Sequence, residues 1–200
     1  SPEPDVAPWD VPRYYADECQ IPSGQSQPRD DCAYGDPEGG SDVVLLGDSK
    51  TGQWFSAVDE IARQEGWRLQ LHLKSACPFT VQGAEEDCDA FGRAVLDLLR
   101  DRPTPPDLAL VSTGAAATPE LLDGMTQALR SLEEQGTTVV MLRDNPYPPG
   151  SQYPCAAEHL DDLRECAFEP TEAGGNDLLT SVADRLDLSV VDLDRWICPE

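Results

Sequence analysis

From Asp42 onward the apolar positions switch between short continuous runs and helical spacing. Val43-Val44-Leu45-Leu46 is an unbroken run, the pattern of a buried strand. Thr51 to Glu65 reads as a helix with Trp54, Phe55, Val58, Ile61 and Ala62 on one face, and Gly66 closes it. Trp67 to Leu73 is a second strand. Cys88 to Asp101 is a helix with Phe91, Val95, Leu98 and Leu99 inward, broken by Pro103 to Pro106. Asp107 to Ser112 is a third strand. Pro119 opens a helix on Leu121, Leu122, Met125, Leu129 and Leu132 that ends at Gly136. Thr137 to Leu142, a helix over Gly175 to Leu186, and Leu188 to Leu193 complete the series. Strands alternating with helices predict an α/β fold: a doubly wound, flavodoxin-like, five-stranded parallel sheet with helices on both faces.

The rest of the chain lacks periodicity. Residues 1–41 are rich in Pro, Asp and Gly and read as an irregular arm or linker, tied by a Cys19–Cys32 disulfide and anchored by Trp9, Tyr14 and Tyr15. Residues 42–200 form the main domain. Within it lie a loop, Lys74 to Asp87, and a proline-rich excursion, Asn145 to Pro170.

In such a fold the strand C-termini share one edge, and ligands bind there. That edge carries Gly47-Asp48-Ser49, Lys74-Ser75, Ser112-Thr113-Gly114 and Arg143-Asp144-Asn145. A strand that delivers a serine to a tight glycine turn ahead of a helix suits a nucleophile. Asp48 shapes that turn by accepting local N–H groups. Oxyanion donors are sought at the Ser49 N–H and in the loops of Ser75-Ala76 and Thr113-Gly114. Lys50 can face substrate or pair with an acid; solvent exposure is its default. Asp144 and Asn145 read either as a turn alone or as further oxyanion or substrate residues, since they lie on the same edge. A serine needs a base. The chain has two histidines. His72 alternates with strand leucines and reads as a satisfied or surface-facing residue; His159 reads as surface. The triad is therefore incomplete within these 200 residues.

Charge and cysteines set the surroundings. A net charge of −24 repels phosphate backbones and argues against nucleic-acid binding. Six of the seven cysteines form sequence neighbours. The simplest pairing is Cys19–Cys32, Cys77–Cys88 and Cys155–Cys166, among others the count allows. Each bridge would contribute about 2–3 kcal/mol and points to an oxidising, extracytoplasmic compartment. Cys198 is left over, which places its partner beyond Glu200 and reads the chain as a piece of a longer one. No Cys/His spacing fits zinc, and no metal or cofactor is expected. No run reaches the roughly 20 apolar residues of a membrane helix, and no signal peptide is visible.

Leu46-Gly47-Asp48-Ser49-Lys50-x-x-Gln53-Trp54 resembles the first block of the SGNH (GDSL-like) hydrolases. The nearer likeness is to SGNH domains fused to acyltransferase-3 membrane proteins, especially in actinobacteria. Lys74-Ser75-x-Cys77-Pro78, Arg143-Asp144-Asn145-Pro146-x-Pro148, Cys155 with Cys166-Ala167-Phe168, and Val191-Asp192-Leu193 before Cys198-Pro199 support it. The resemblance implies an extracytoplasmic domain tethered to a membrane acyltransferase. Ser49 would take an acyl group, commonly acetyl, delivered by that membrane domain and pass it to hydroxyls of a cell-surface glycan. The triad Asp and His would follow Glu200. Ser112-Thr113-Gly114 stands where the family has an Asn, and Lys50 where it often has a His. The alternatives are a secreted carbohydrate esterase and a catalytically silent glycan-binding module.

Overall fold

The computed structural model describes residues 6, 9–169, 171 and 173–198. Parts of the arm before residue 9, the end of the excursion at Pro170, and Pro199-Glu200 of the Cys198-Pro199 motif lie outside the described residues. The elements run β1 (Gln20–Ile21), β2 (Ala33–Gly35), β3 (Ser41–Gly47), α1 (Ser49–Gly52), α2 (Phe55–Glu65), β4 (Trp67–Lys74), α3 (Glu86–Arg100) and β5 (Leu108–Ser112). They continue with α4 (Pro119–Glu134), β6 (Thr138–Leu142), α5 (Tyr153–Glu158), α6 (Asn176–Leu186), β7 (Ser189–Val191) and α7 (Asp194–Ile197).

The apolar runs pair as expected. The strand order β4-β3-β5-β6-β7 is parallel throughout, with Leu45 opposite both Leu71 and Leu110. This is the flavodoxin-like order, and its reversal point lies at the C-terminal end of β3. The central strands β3 and β5 are buried on both faces, which is why they read as continuous apolar runs, whereas β7 at the far edge is exposed. On one face Val44, Leu46 and Val111 pack against Phe91, Val95 and Leu99 of α3, Met125 and Leu129 of α4, and Leu178 and Val182 of α6. On the other, Leu45, Leu71 and Leu73 pack against Phe55, Val58 and Ala62 of α2 and against Tyr14 and Tyr34 of the arm.

The sheet is larger than the periodicity predicts. The arm is not irregular throughout: β1 pairs parallel and β2 antiparallel with β4, giving a seven-stranded sheet among the described residues. Both strands are too short to leave a period. The expected anchors also divide. Tyr14 is buried, but Trp9 is 82% and Tyr15 41% exposed. The helix expected over Thr51 to Glu65 is divided into α1 and α2 at Gln53-Trp54, and Gly52 presses against the Tyr14 hydroxyl, where a Cβ would come within 2.3 Å. On α2, Ile61 is exposed, while Asp59 is buried between Arg13 and Arg63 and accepts the Gly35 N–H at 3.0 Å.

Gly47 is the residue that delivers the turn. Its φ is +140°, and a Cβ there would stand 2.4 Å from Thr51 Oγ1 and 2.5 Å from the Ser112 carbonyl oxygen. Gly47→Ala is expected to destabilise the fold by about 2–4 kcal/mol, through backbone strain and overpacking together. A urea midpoint equal to that of the wild type would overturn this account of the turn.

Candidate active site

Asp48 is a buried N-cap that builds the nucleophile turn. Its Oδ1 accepts the Lys50 N–H at 2.7 Å; its Oδ2 accepts the Thr113 hydroxyl at 2.6 Å and the Gly114 N–H at 3.2 Å. One carboxylate thus ties the end of β3 to the loop after β5. Burial pushes its pKa up, against the pull of these three donors toward the ionised form. Thr51, fully buried, makes the second tie. Its Oγ1 lies 2.7 Å from the Ser112 carbonyl and 3.0 Å from the Leu46 carbonyl, and accepts the Ser112 N–H at 2.9 Å.

Ser49, first residue of α1, is exposed on the edge that these ties create. Neither its hydroxyl nor its backbone N–H makes a hydrogen bond among the described residues. The expected oxyanion donors are placed differently from the sequence reading. The Thr113 hydroxyl and Gly114 N–H are held by Asp48. The Ser75 N–H goes to the Ile21 carbonyl at 2.9 Å, and its hydroxyl faces the Gln20 amide at 3.5 Å. Ala76 sits exposed at a left-handed turn, φ +55°. Of the expected donors fixed to the nucleophile turn itself, the Ser49 N–H is the one left open.

Lys50 does not default to solvent. Its ammonium is 3.2 Å from Asp144 Oδ1 and 3.8 Å from the centre of the Tyr147 ring. Asp144 is fully buried; it also accepts the Gln53 amide at 3.0 Å and the Tyr147 hydroxyl at 2.9 Å. Asn176 clamps its backbone at both ends, accepting the Asp144 N–H at 3.0 Å and donating to its carbonyl at 3.1 Å. Asn145 is half-buried beside it. The turns after β3 and β6 are thereby joined to the start of α6. Thr51, Gln53, Tyr147 and Asn176 carry this joinery without having been singled out as site residues. Gln53 and Tyr147 at least fall inside motifs read from the sequence, whereas nothing local marks Asn176.

Neither described histidine reaches Ser49 through a hydrogen bond. His159 is exposed on the excursion. His72 corrects the sequence reading, being neither satisfied nor at the surface. It is 2% exposed, and both ring nitrogens lack a hydrogen bond. Burial, aided by the Arg102 charge and opposed by the Arg29 backbone, lowers its pKa to about 4. Between pH 6.5 and about 4 the unfolded chain therefore binds a proton that the folded chain refuses, so stability falls with acidification. The loss from this ring is on the order of 3 kcal/mol. Denaturation at pH 7 and pH 4.5 checks it: His72→Leu should lose less stability on acidification than the wild type.

The three neighbour disulfides all form: Cys19–Cys32, Cys77–Cys88 and Cys155–Cys166; Cys198 is free. Cys77, Asp87 and Cys88 bring three donor atoms together, but both sulfurs are already in a disulfide. No described helix is long and apolar enough to cross a membrane.

A doubly wound α/β sheet with an exposed serine at its reversal point defines the general class. Residues 18–200 match the family model of the SGNH domain (fused to AT3 domains), and the chain belongs to that family. No curated protein matches the chain. The fold is similar to that of the periplasmic domain of the lipopolysaccharide acetyltransferase of Salmonella ser. Paratyphi A. The two share 9% identity and a TM-score of 0.60, over 82% of this chain and 70% of that one. TesA gives 18% identity and a TM-score of 0.41, over 75% of this chain and 77% of its own.

Proposed function

We propose that this chain is the extracytoplasmic acyl-handling domain of a membrane-linked O-acyltransferase, with Ser49 as nucleophile. The single observation that carries the reading is the exposed Ser49, held by the Asp48 and Thr51 ties in a chain of the AT3-fused SGNH family. The acetyltransferase named among the structural neighbours supports the acyl chemistry through shared fold. The disulfides support the compartment.

In this reading a base takes the Ser49 proton and Oγ attacks the carbonyl of the acyl donor. The donor's leaving group departs with a proton, leaving an acyl ester on Ser49. A glycan hydroxyl then attacks that ester. Its proton passes through the base and returns to the serine. The Ser49 N–H faces the developing oxyanion. Among the described residues neither the buried His72 nor the exposed His159 is hydrogen-bonded to Ser49, so in this reading the base is another group.

The test is to incubate the full-length protein with an activated acetyl ester, quench in acid, and read the mass of the Ser49 peptide. An acetyl increment on Ser49 is expected. Faster turnover with an oligosaccharide than with water alone selects the transferase over an esterase. The free Ser49 hydroxyl and the occupied Thr113 and Gly114 donors favour a second reading, a silent glycan-binding module. Saturable oligosaccharide binding with no acetyl on Ser49 would establish that reading instead.

A further inference from the structure

Ser49 opens α1, a helix of four residues, and so short a helix does not hold itself in water. Its orientation is set by what it docks on. Two of its side chains dock on one oxygen: Asp144 Oδ1 lies 3.2 Å from the Lys50 ammonium and 3.0 Å from the Gln53 amide. The Gln53 tie is made one turn along from the nucleophile, since the Gln53 N–H donates to the Ser49 carbonyl at 2.9 Å. The Ser49 hydroxyl and N–H make no hydrogen bond among the described residues, so the serine inherits its position from these ties and from Asp48.

Tyr147 closes the post on which α1 sits. Its hydroxyl donates to Asp144 Oδ2 at 2.9 Å, and the Lys50 ammonium stands 3.8 Å from its ring centre. One side chain thus meets both members of the ion pair. The Lys50 stem passes Gly114, where a Cβ would stand 3.1 Å from its Cγ and 3.7 Å from the Tyr147 hydroxyl. The missing side chain leaves the stem its path to the pair. Tyr147 is itself fixed from outside α1: its backbone exchanges both hydrogen bonds with Thr171, at 3.0 and 2.8 Å.

We infer that Tyr147 is a positioning residue for Ser49. It locks Lys50 and Asp144 into one unit and so sets the direction of the Ser49 hydroxyl and N–H, acting through α1 and not through contact with a substrate. This rests on the reading of Ser49 as nucleophile. A reacting atom displaced by about 1 Å can lose on the order of 10²-fold in rate.

The experiment treats the full-length wild type, Tyr147→Phe and Tyr147→Leu with a fluorophosphonate. The Ser49 oxygen bonds to phosphorus, fluoride leaves, and the serine proton passes to the base. Peptide mass reads the label on Ser49, over time and over probe concentration. The end-point counts folded sites; the saturating rate reads orientation. Tyr147→Phe keeps the ring under the ammonium and loses the bond to Asp144; its saturating rate should fall about tenfold. Tyr147→Leu loses both and should fall about 100-fold. The half-saturating concentration and the end-point should stay at wild-type values. Wild-type rates in both variants, or a lower end-point at an unchanged rate, would overturn the inference alone. A wild type unlabelled at Ser49 would remove the nucleophile reading and this inference with it.

Discussion

Ser49→Ala is expected to reduce turnover by about 10⁴-fold or more, by analogy with other serine nucleophiles. That corresponds to about 5.5 kcal/mol of lost transition-state stabilisation. The structure separates this loss from any loss of fold. The cap of α1 is Asp48, through the Lys50 N–H, and the turn is tied by Thr51; the Ser49 hydroxyl holds neither. The urea midpoint should therefore stay within about 0.5 kcal/mol of the wild type. An alanine variant of the full-length protein that turns over an activated ester at the wild-type rate would remove Ser49 from the chemistry.

Asp144→Ala should produce the largest stability change, about 3–5 kcal/mol, the range for breaking a buried ion pair by removing one partner. Its carboxylate is fully buried and joins three donors from the segments after β3 and after β6: Gln53, Lys50 and Tyr147. Truncation strands all three at once, the Lys50 ammonium being only 22% exposed. Lys50→Met should cost less, because the carboxylate keeps Gln53 and Tyr147. The double variant should not sum the two losses, since both remove the same pair. Chemical denaturation of the four proteins measures this. A loss below about 1 kcal/mol for Asp144→Ala would mean that the network orients the site without stabilising the fold.

Much of this was legible in advance where the signal was periodic. Val43 to Leu46 could only be a buried strand, and its Gly-Asp-Ser ending placed Asp48 and Ser49 at the switch point of the order actually formed. What failed to show were features that depend on contacts between distant residues. Gln20–Ile21 and Ala33–Gly35 are too short for alternation to register, and become strands because β4 offers them an edge. Thr113 and Gly114 looked like open donors because nothing local says that Asp48, far away in sequence, will claim both. Lys50 looked solvent-facing because its partner waits at the end of another strand. Ile61 fell on the apolar stripe yet is exposed, while Asp59 lies buried because Arg13 of the arm reaches it.

The position of the arm has a practical consequence for anyone trimming the protein. The alternation of strands and helices invites an expression boundary at Asp42. Such a cut would take away both β1 and β2, which occupy the outer side of β4, together with the Cys19–Cys32 bridge and the Tyr14 ring seated on Phe55 and Gly52. β4 would become an open edge, with Trp67, Leu69, Leu71 and Leu73 along it, able to recruit strands from other molecules. The residues that look most dispensable in the sequence are thus the sheet's guard against self-association.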